Sequence, residues 1–218
     1  MKYQAVIFDM DGVLIDSDLH WLVAEMEYLK KYNITVTPDI TSQMAGRSLR
    51  DSVALVKEMY NLSQSVEELL REKTEASNTI YTHKAQAMPG VEVLLQKLQQ
   101  AKARTAIASG SFLQRIEMIV DRFAWREYFE HLVSSDHVNY VGKPDPAIYI
   151  YTAQKLGLDP SRCVVIEDSV NGLKAAKGAG MTCIAVPDPR WSQGDYSTAD
   201  LIAEGLTDAK IIDFLELN

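Results

Sequence analysis

Two carboxylates on alternate positions, Asp9 and Asp11, follow the apolar run Ala5-Val6-Ile7-Phe8, and Gly12 comes directly after them. An apolar run that ends this abruptly reads as a buried strand whose carboxyl end opens into a polar pocket, where open α/β sheets hold their ligands. In an extended segment both side chains point to one side, about 7 Å apart along the backbone, and Gly12 lets the chain turn back at once. Held at a strand mouth, such a pair suits a Mg²⁺-assisted nucleophile with an acid/base beside it. The same residues also fit a plain Asp-Gly turn after a strand. A calcium loop does not fit, because its third ligand position would fall on Val13 and its terminal glutamate is missing. The choice depends on partners further along.

Three other stretches offer such partners. Ser109-Gly110-Ser111 lies between an apolar run and an amphipathic one, offering a hydroxyl and backbone N–H groups to an anion. Gly142-Lys143-Pro144-Asp145-Pro146 sets a lysine just ahead of a proline-started helix, and Glu167-Asp168 ends the apolar Cys163-Val164-Val165-Ile166. Taken singly, these are a helix cap, a solvated lysine and an acidic helix N-terminus.

The elements that would position them alternate. Strands are expected at 5–8, 105–108, 131–134, 163–166 and 182–186, with a short segment at 200–202. Helices are expected at 91–100, 112–123, 146–156, 170–177 and 208–215. This order implies an α/β fold, a Rossmann-like, doubly wound parallel sheet covered on both faces. Between the first strand and the rest, residues 18–84 show only helical patterns. Leu19, Leu22, Val23, Met26 and Leu29 form one helical face. Thr37-Pro38 opens a second helix, 48–60 reads as a third, and Ser65 with Glu68 makes a capping box for a fourth reaching towards Tyr81. The expected domains are therefore a core of 1–17 and 85–218 and an inserted, all-helical cap of 18–84.

The chain's 218 residues exceed the roughly 150 of a usual domain, which suits a core with an insertion. A formal net charge of −8, with no basic stretch, gives no sign of a nucleic-acid partner or of attraction to an anionic membrane. No apolar run reaches the roughly 18 residues of a membrane span, and the first residues lack signal-peptide architecture, so a cytoplasmic protein is expected. Cys163 and Cys183 sit in strand-like runs without metal spacing and are expected to be buried, reduced thiols.

Together the junctions follow the order carboxylate pair, serine, lysine, carboxylate pair, each at a strand end. In this, and in Phe8-Asp9-Met10-Asp11-Gly12-Val13-Leu14-Ile15-Asp16-Ser17, the chain resembles the haloacid-dehalogenase-like hydrolases. The likeness is to members with a helical cap after the first strand, among them sugar-phosphate phosphatases and β-phosphoglucomutase. The resemblance implies Asp9 as nucleophile, Asp11 as acid and then base, and Ser109, Gly110 and Lys143 as phosphoryl holders. It implies a Mg²⁺ cofactor bound by Asp9, the Asp11 carbonyl and Asp168, with Glu167 either a ligand or standing behind one. Dehalogenases need neither the metal nor the second aspartate, so Asp11 with Glu167-Asp168 favours phosphoryl transfer.

Within that group, the mutase pattern has a histidine where this chain has Trp21, with His20 one residue early. In the cap, Gly46, Ser48 and Ser52 fit it, but Ala45 and Leu49 replace its lysine and arginine. Arg47 and Arg50 lie close by, where a one-residue slip would restore a phosphate clamp, but each also reads as a solvated helix-face charge or a general substrate contact. The expectation is a Mg²⁺-dependent phosphatase of small phosphorylated metabolites, with a mutase or a non-catalytic phosphate-binding protein as alternatives. A Trp21 side chain would offer a sugar ring a flat wall or pack between helices. The sequence is silent on oligomeric state, and a monomer is the default.

Overall fold

The computed structural model describes residues 2–37, 40, 49–190 and 194–217. The chain divides into two compact units, Met1–Asp16 with Gln86–Asn218, and Ser17–Ala85.

In the first unit, β1 (Ala5–Phe8), β4 (Arg104–Ser109), β5 (His131–Ser134), β6 (Cys163–Glu167), β7 (Thr182–Ala185) and β8 (Leu201–Ile202) make one sheet in the order β5-β4-β1-β6-β7-β8. Every pairing in it is parallel. β1 is wholly buried and lies between β4 and β6, with Phe8 level with Ile107 on one side and Ile166 on the other. A strand that is apolar on both faces is what a covered parallel sheet requires. Helices α4 (Val91–Gln100), α5 (Leu113–Arg122), α6 (Ala147–Leu156), α7 (Val170–Gly178) and α8 (Ala209–Leu215) alternate with the strands. Ala5 and Ile7 face a core cluster with Ile148, Tyr149 and Leu156 of α6 and Leu173 and Ala176 of α7. Val6 and Phe8 alternate to the other side, where Phe8 meets Phe129 edge to face. Cys163 and Cys183 are free, buried thiols, and burial pushes them up to about 11 and about 12.

One feature is too short to show a period in sequence. Residues Ile15–Asp16 (β2) and Gln86–Ala87 (β3) pair antiparallel, Ile15 with Ala87 and Asp16 with Gln86.

In the second unit, the described helices are α1 (Asp18–Lys30), α2 (Leu49–Tyr60) and α3 (Val66–Thr79), the last followed by a π-helical turn at Ile80–Lys84. The Ser65–Glu68 capping box is formed in both directions. The expected apolar face of α1 needs correction. Leu19, Leu22, Val23 and Met26 are exposed, whereas Ala24, Tyr28 and Leu29 are buried. Tyr28 and Leu29 pack with Ile34, Ile40 and Val56, so the helix turns a neighbouring stripe to its core. The Lys73 ammonium lies 2.5 Å from the Glu25 carboxylate, with both side chains largely buried. Ala45, Gly46, Arg47, Ser48 and Pro38 lie outside the described residues. No described helix is long and apolar enough to cross a membrane.

Candidate active site

The β1 ladder continues one step past the strand, where the Asp9 N–H donates to the Ile166 carbonyl at 3.0 Å. The chain then folds back tightly. Leu14 and Ile15 donate to the Met10 carbonyl, and Gly12 donates to Ile15 with φ +79°. Glycine is needed there twice over: the backbone is left-handed, and a Cβ would lie 2.4 Å from Asp168 Oδ2. The turn after β1 is thus packed against the acid after β6. Asp9, Glu167 and Asp168 are all buried, each with a carboxylate oxygen within 4.8 Å of the others'.

Lys143 reaches into this group from the loop before α6. Its ammonium donates to Asp9 Oδ1 at 2.7 Å, to Glu167 Oε1 at 2.5 Å and to the Ala108 carbonyl at 3.3 Å. The solvated reading of this lysine fails, since its side chain is 13% exposed. Glu167 is fully engaged. Its Oε1 also accepts from the Tyr149 hydroxyl at 2.7 Å, and its Oε2 accepts from the Asp168 and Ser169 N–H groups and the Ser169 hydroxyl. The carboxylate is seated on the first turn of α7 so closely that a Cβ on Gly172 would lie 1.8 Å from it.

Across the sheet, at the end of β4, Ser109 is buried and its hydroxyl oxygen accepts the Ser111 N–H at 3.0 Å. The hydroxyl proton is thereby turned away from Ser111. Gly110 has open space where a Cβ would be, so this position has no steric need for glycine. Asp11, half-buried, accepts the Ser111 hydroxyl on Oδ2 at 2.9 Å.

The electrostatics follow from burial among like charges. Burial raises the Asp9 carboxyl to about 7, with Lys143 opposing and Glu167 adding. Burial alone would also raise Glu167, but Lys143 and the other donors more than reverse it and hold it below the usual glutamate value. For Lys143 burial works against the charge, yet Asp9 and Glu167 together raise its pKa above the ordinary lysine value. The lysine therefore stays an ammonium, and the group carries more negative than positive charge.

That imbalance suits a hard divalent cation, which takes oxygen ligands. Asp9, Glu167 and Asp168 together could hold such an ion, and both Glu167 oxygens already accept from donors, among them Lys143. Two contacts here were not read from the sequence. Ser111 was visible only as the second serine of its run, and Tyr149 carries no signal, being one aromatic residue on the buried face of α6. In the second unit Trp21 donates its indole N–H to the Tyr81 hydroxyl at 3.1 Å and meets that ring edge-on, so part of its ring packs between helices. Arg50 is exposed and paired with Glu67 at 2.6 Å.

A model of haloacid dehalogenase-like hydrolases matches residues 3–180. A protein of Drosophila melanogaster named "Probable pseudouridine-5'-phosphatase" is 37% identical over 216 residues, covering 96% of this chain and 92% of its own. Hexitol phosphatase B of Escherichia coli (strain K12) is 31% identical, covering 97% and 96%. The crystal structure of CbbY from Rhodobacter sphaeroides in complex with phosphate superposes with a TM-score of 0.81 at 25% identity, covering 95% and 96%. The sheet with its acids and lysine gathered at the ends of β1, β4 and β6, together with these matches, makes the chain a member of the haloacid dehalogenase-like hydrolases.

Proposed function

We propose that this protein is a Mg²⁺-dependent phosphatase of small metabolites, sugar phosphates in particular, that works through an aspartyl phosphate on Asp9. It is a phosphomonoester hydrolase of its family. The observation that carries the finer reading is the buried Asp9 carboxylate, 2.7 Å from the Lys143 ammonium and close to Asp168.

In the first step, an Asp9 oxygen forms a bond to phosphorus while the bond from phosphorus to the ester oxygen breaks. Asp11 gives its proton to the departing alkoxide and then takes one from the water that attacks the aspartyl phosphate. Lys143, the Ser109 hydroxyl and the Gly110 N–H hold the phosphoryl oxygens as charge shifts among them. Asp9, Asp168 and the Asp11 backbone carbonyl would hold Mg²⁺, whose charge offsets the repulsion between carboxylate and phosphoryl group.

The test is phosphate release from sugar phosphates, pseudouridine 5′-phosphate and p-nitrophenyl phosphate by the wild type and Asp9→Asn. The variant should fold normally and lose turnover by at least about 10⁴-fold. Near-wild-type release by Asp9→Asn would overturn the nucleophile.

A further inference from the structure

Ser111 is half-buried and fixed at three points. Its N–H donates to the Ser109 hydroxyl oxygen at 3.0 Å, its carbonyl accepts from the Ser135 N–H at 3.4 Å, and its hydroxyl donates to Asp11 Oδ2 at 2.9 Å. The loop after β5 that meets it is itself anchored. Asp136 accepts from Leu113 N at 2.8 Å, at the start of α5, and from the Ser134 hydroxyl at 3.0 Å. The residue that reaches Asp11 is therefore tied to the ends of two neighbouring strands, β4 and β5.

We infer that Ser111 is a positioning residue for the acid, one that dictates which Asp11 oxygen carries the transferable proton. The inference rests on the proposed reading of Asp9 and Asp11. With Oδ2 engaged by a hydroxyl donor, the proton of the acid form sits on Oδ1. As the phosphorus to ester-oxygen bond breaks, that proton passes from Oδ1 to the alkoxide, and the electron pair left on Asp11 is shared with the oxygen that Ser111 already holds. The same serine, through its N–H, orients the Ser109 hydroxyl towards the phosphoryl group. One short segment so sets both the phosphoryl holder and the acid, and neither can shift without the other.

Proton donation matters most when the leaving group is strongly basic. The experiment compares Ser111→Ala and Ser111→Thr with wild type on p-nitrophenyl phosphate, a good leaving group. It also uses whichever of sorbitol 6-phosphate, fructose 1-phosphate and ribose 5-phosphate the wild type hydrolyses fastest. The expected result for Ser111→Ala is a fall in kcat of about 10-fold or more on the alkyl ester and under about 3-fold on the aryl ester. KM should change little on either, and Ser111→Thr, which keeps the hydroxyl, should restore most of the alkyl activity. Equal losses on the two esters, no loss on either, or no rescue by threonine overturns the inference while leaving the Asp9 reading to its own variant. Release of phosphate from none of the four esters by the wild type overturns both.

Discussion

Gly172→Ala sets helix propensity against one carboxylate. Gly172 lies in the first turn of α7, where alanine in place of glycine would ordinarily stabilise a helix by up to about 1 kcal/mol. Here the new methyl would lie 1.8 Å from Glu167 Cδ and Oε1 and 2.2 Å from Oε2, against atoms that are 1% exposed and closed in by Lys143 and Tyr149. The carboxylate must move, breaking a buried ion pair and leaving Lys143 with fewer acceptors, which costs about 3–5 kcal/mol. The net expectation is a loss of about 3 kcal/mol, read in urea unfolding, and a fall in Tm of about 6–12 °C at this size. The displaced lysine should also lower kcat by about 100-fold, the scale on which a transition-state donor is lost. Gly178→Ala is the control on the same helix, since the nearest atom to its Cβ would be on Pro146, at an ordinary 3.5 Å. An unchanged or raised Tm with normal turnover in Gly172→Ala would refute the claim that Glu167 is seated by that helix turn.

In the helical unit, Lys73→Met alone should destabilise by about 3 kcal/mol in chemical denaturation. It strands a largely buried Glu25 whose Oε1 has no hydrogen-bond partner among the described residues, while the double change with Glu25→Leu should recover most of the loss. Asp136→Ala should cost about 1 kcal/mol by uncapping α5. Burial would raise the Asp136 carboxyl, but the Leu113 N–H and the Ser134 and Tyr140 hydroxyls hold it below the usual aspartate value. Its contribution is therefore present above the unfolded pKa of about 3.9 and fades as pH falls through the lower folded value. Wild-type and variant unfolding curves should accordingly converge in strong acid. Chelation with EDTA should stop phosphate release and added Mg²⁺ should restore it, as followed by a colorimetric phosphate assay; release that persists in EDTA would exclude the metal.

The core was legible because β1 and β6 are apolar on both faces and stop at charged residues. His131–Ser134 and Val91–Gln100 occupy the expected spans, and the acids at the ends of β1 and β6 mark the pocket. Two features were not legible for physical reasons. On α1 apolar residues cover more than half the circumference, so periodicity could not separate the exposed stripe of Leu19, Leu22, Val23 and Met26 from the buried one of Ala24, Tyr28 and Leu29. The roles within the Asp9 group depend on which oxygen faces which donor, and spacing along the chain does not encode that. The sequence left open whether Glu167 is a metal ligand or stands behind one, and its two oxygens are filled by the lysine, the tyrosine and the turn beneath it.

The place of β1 between two partners has a dynamic consequence. Its amides are shielded by neighbours on each side, so exchange with deuterium there should need opening of the whole sheet, whereas β8 at the rim can fray by itself. Asp9, the proposed nucleophile, lies one residue beyond this doubly flanked strand. Fraying at the rim can then proceed while the group proposed to react keeps its aim.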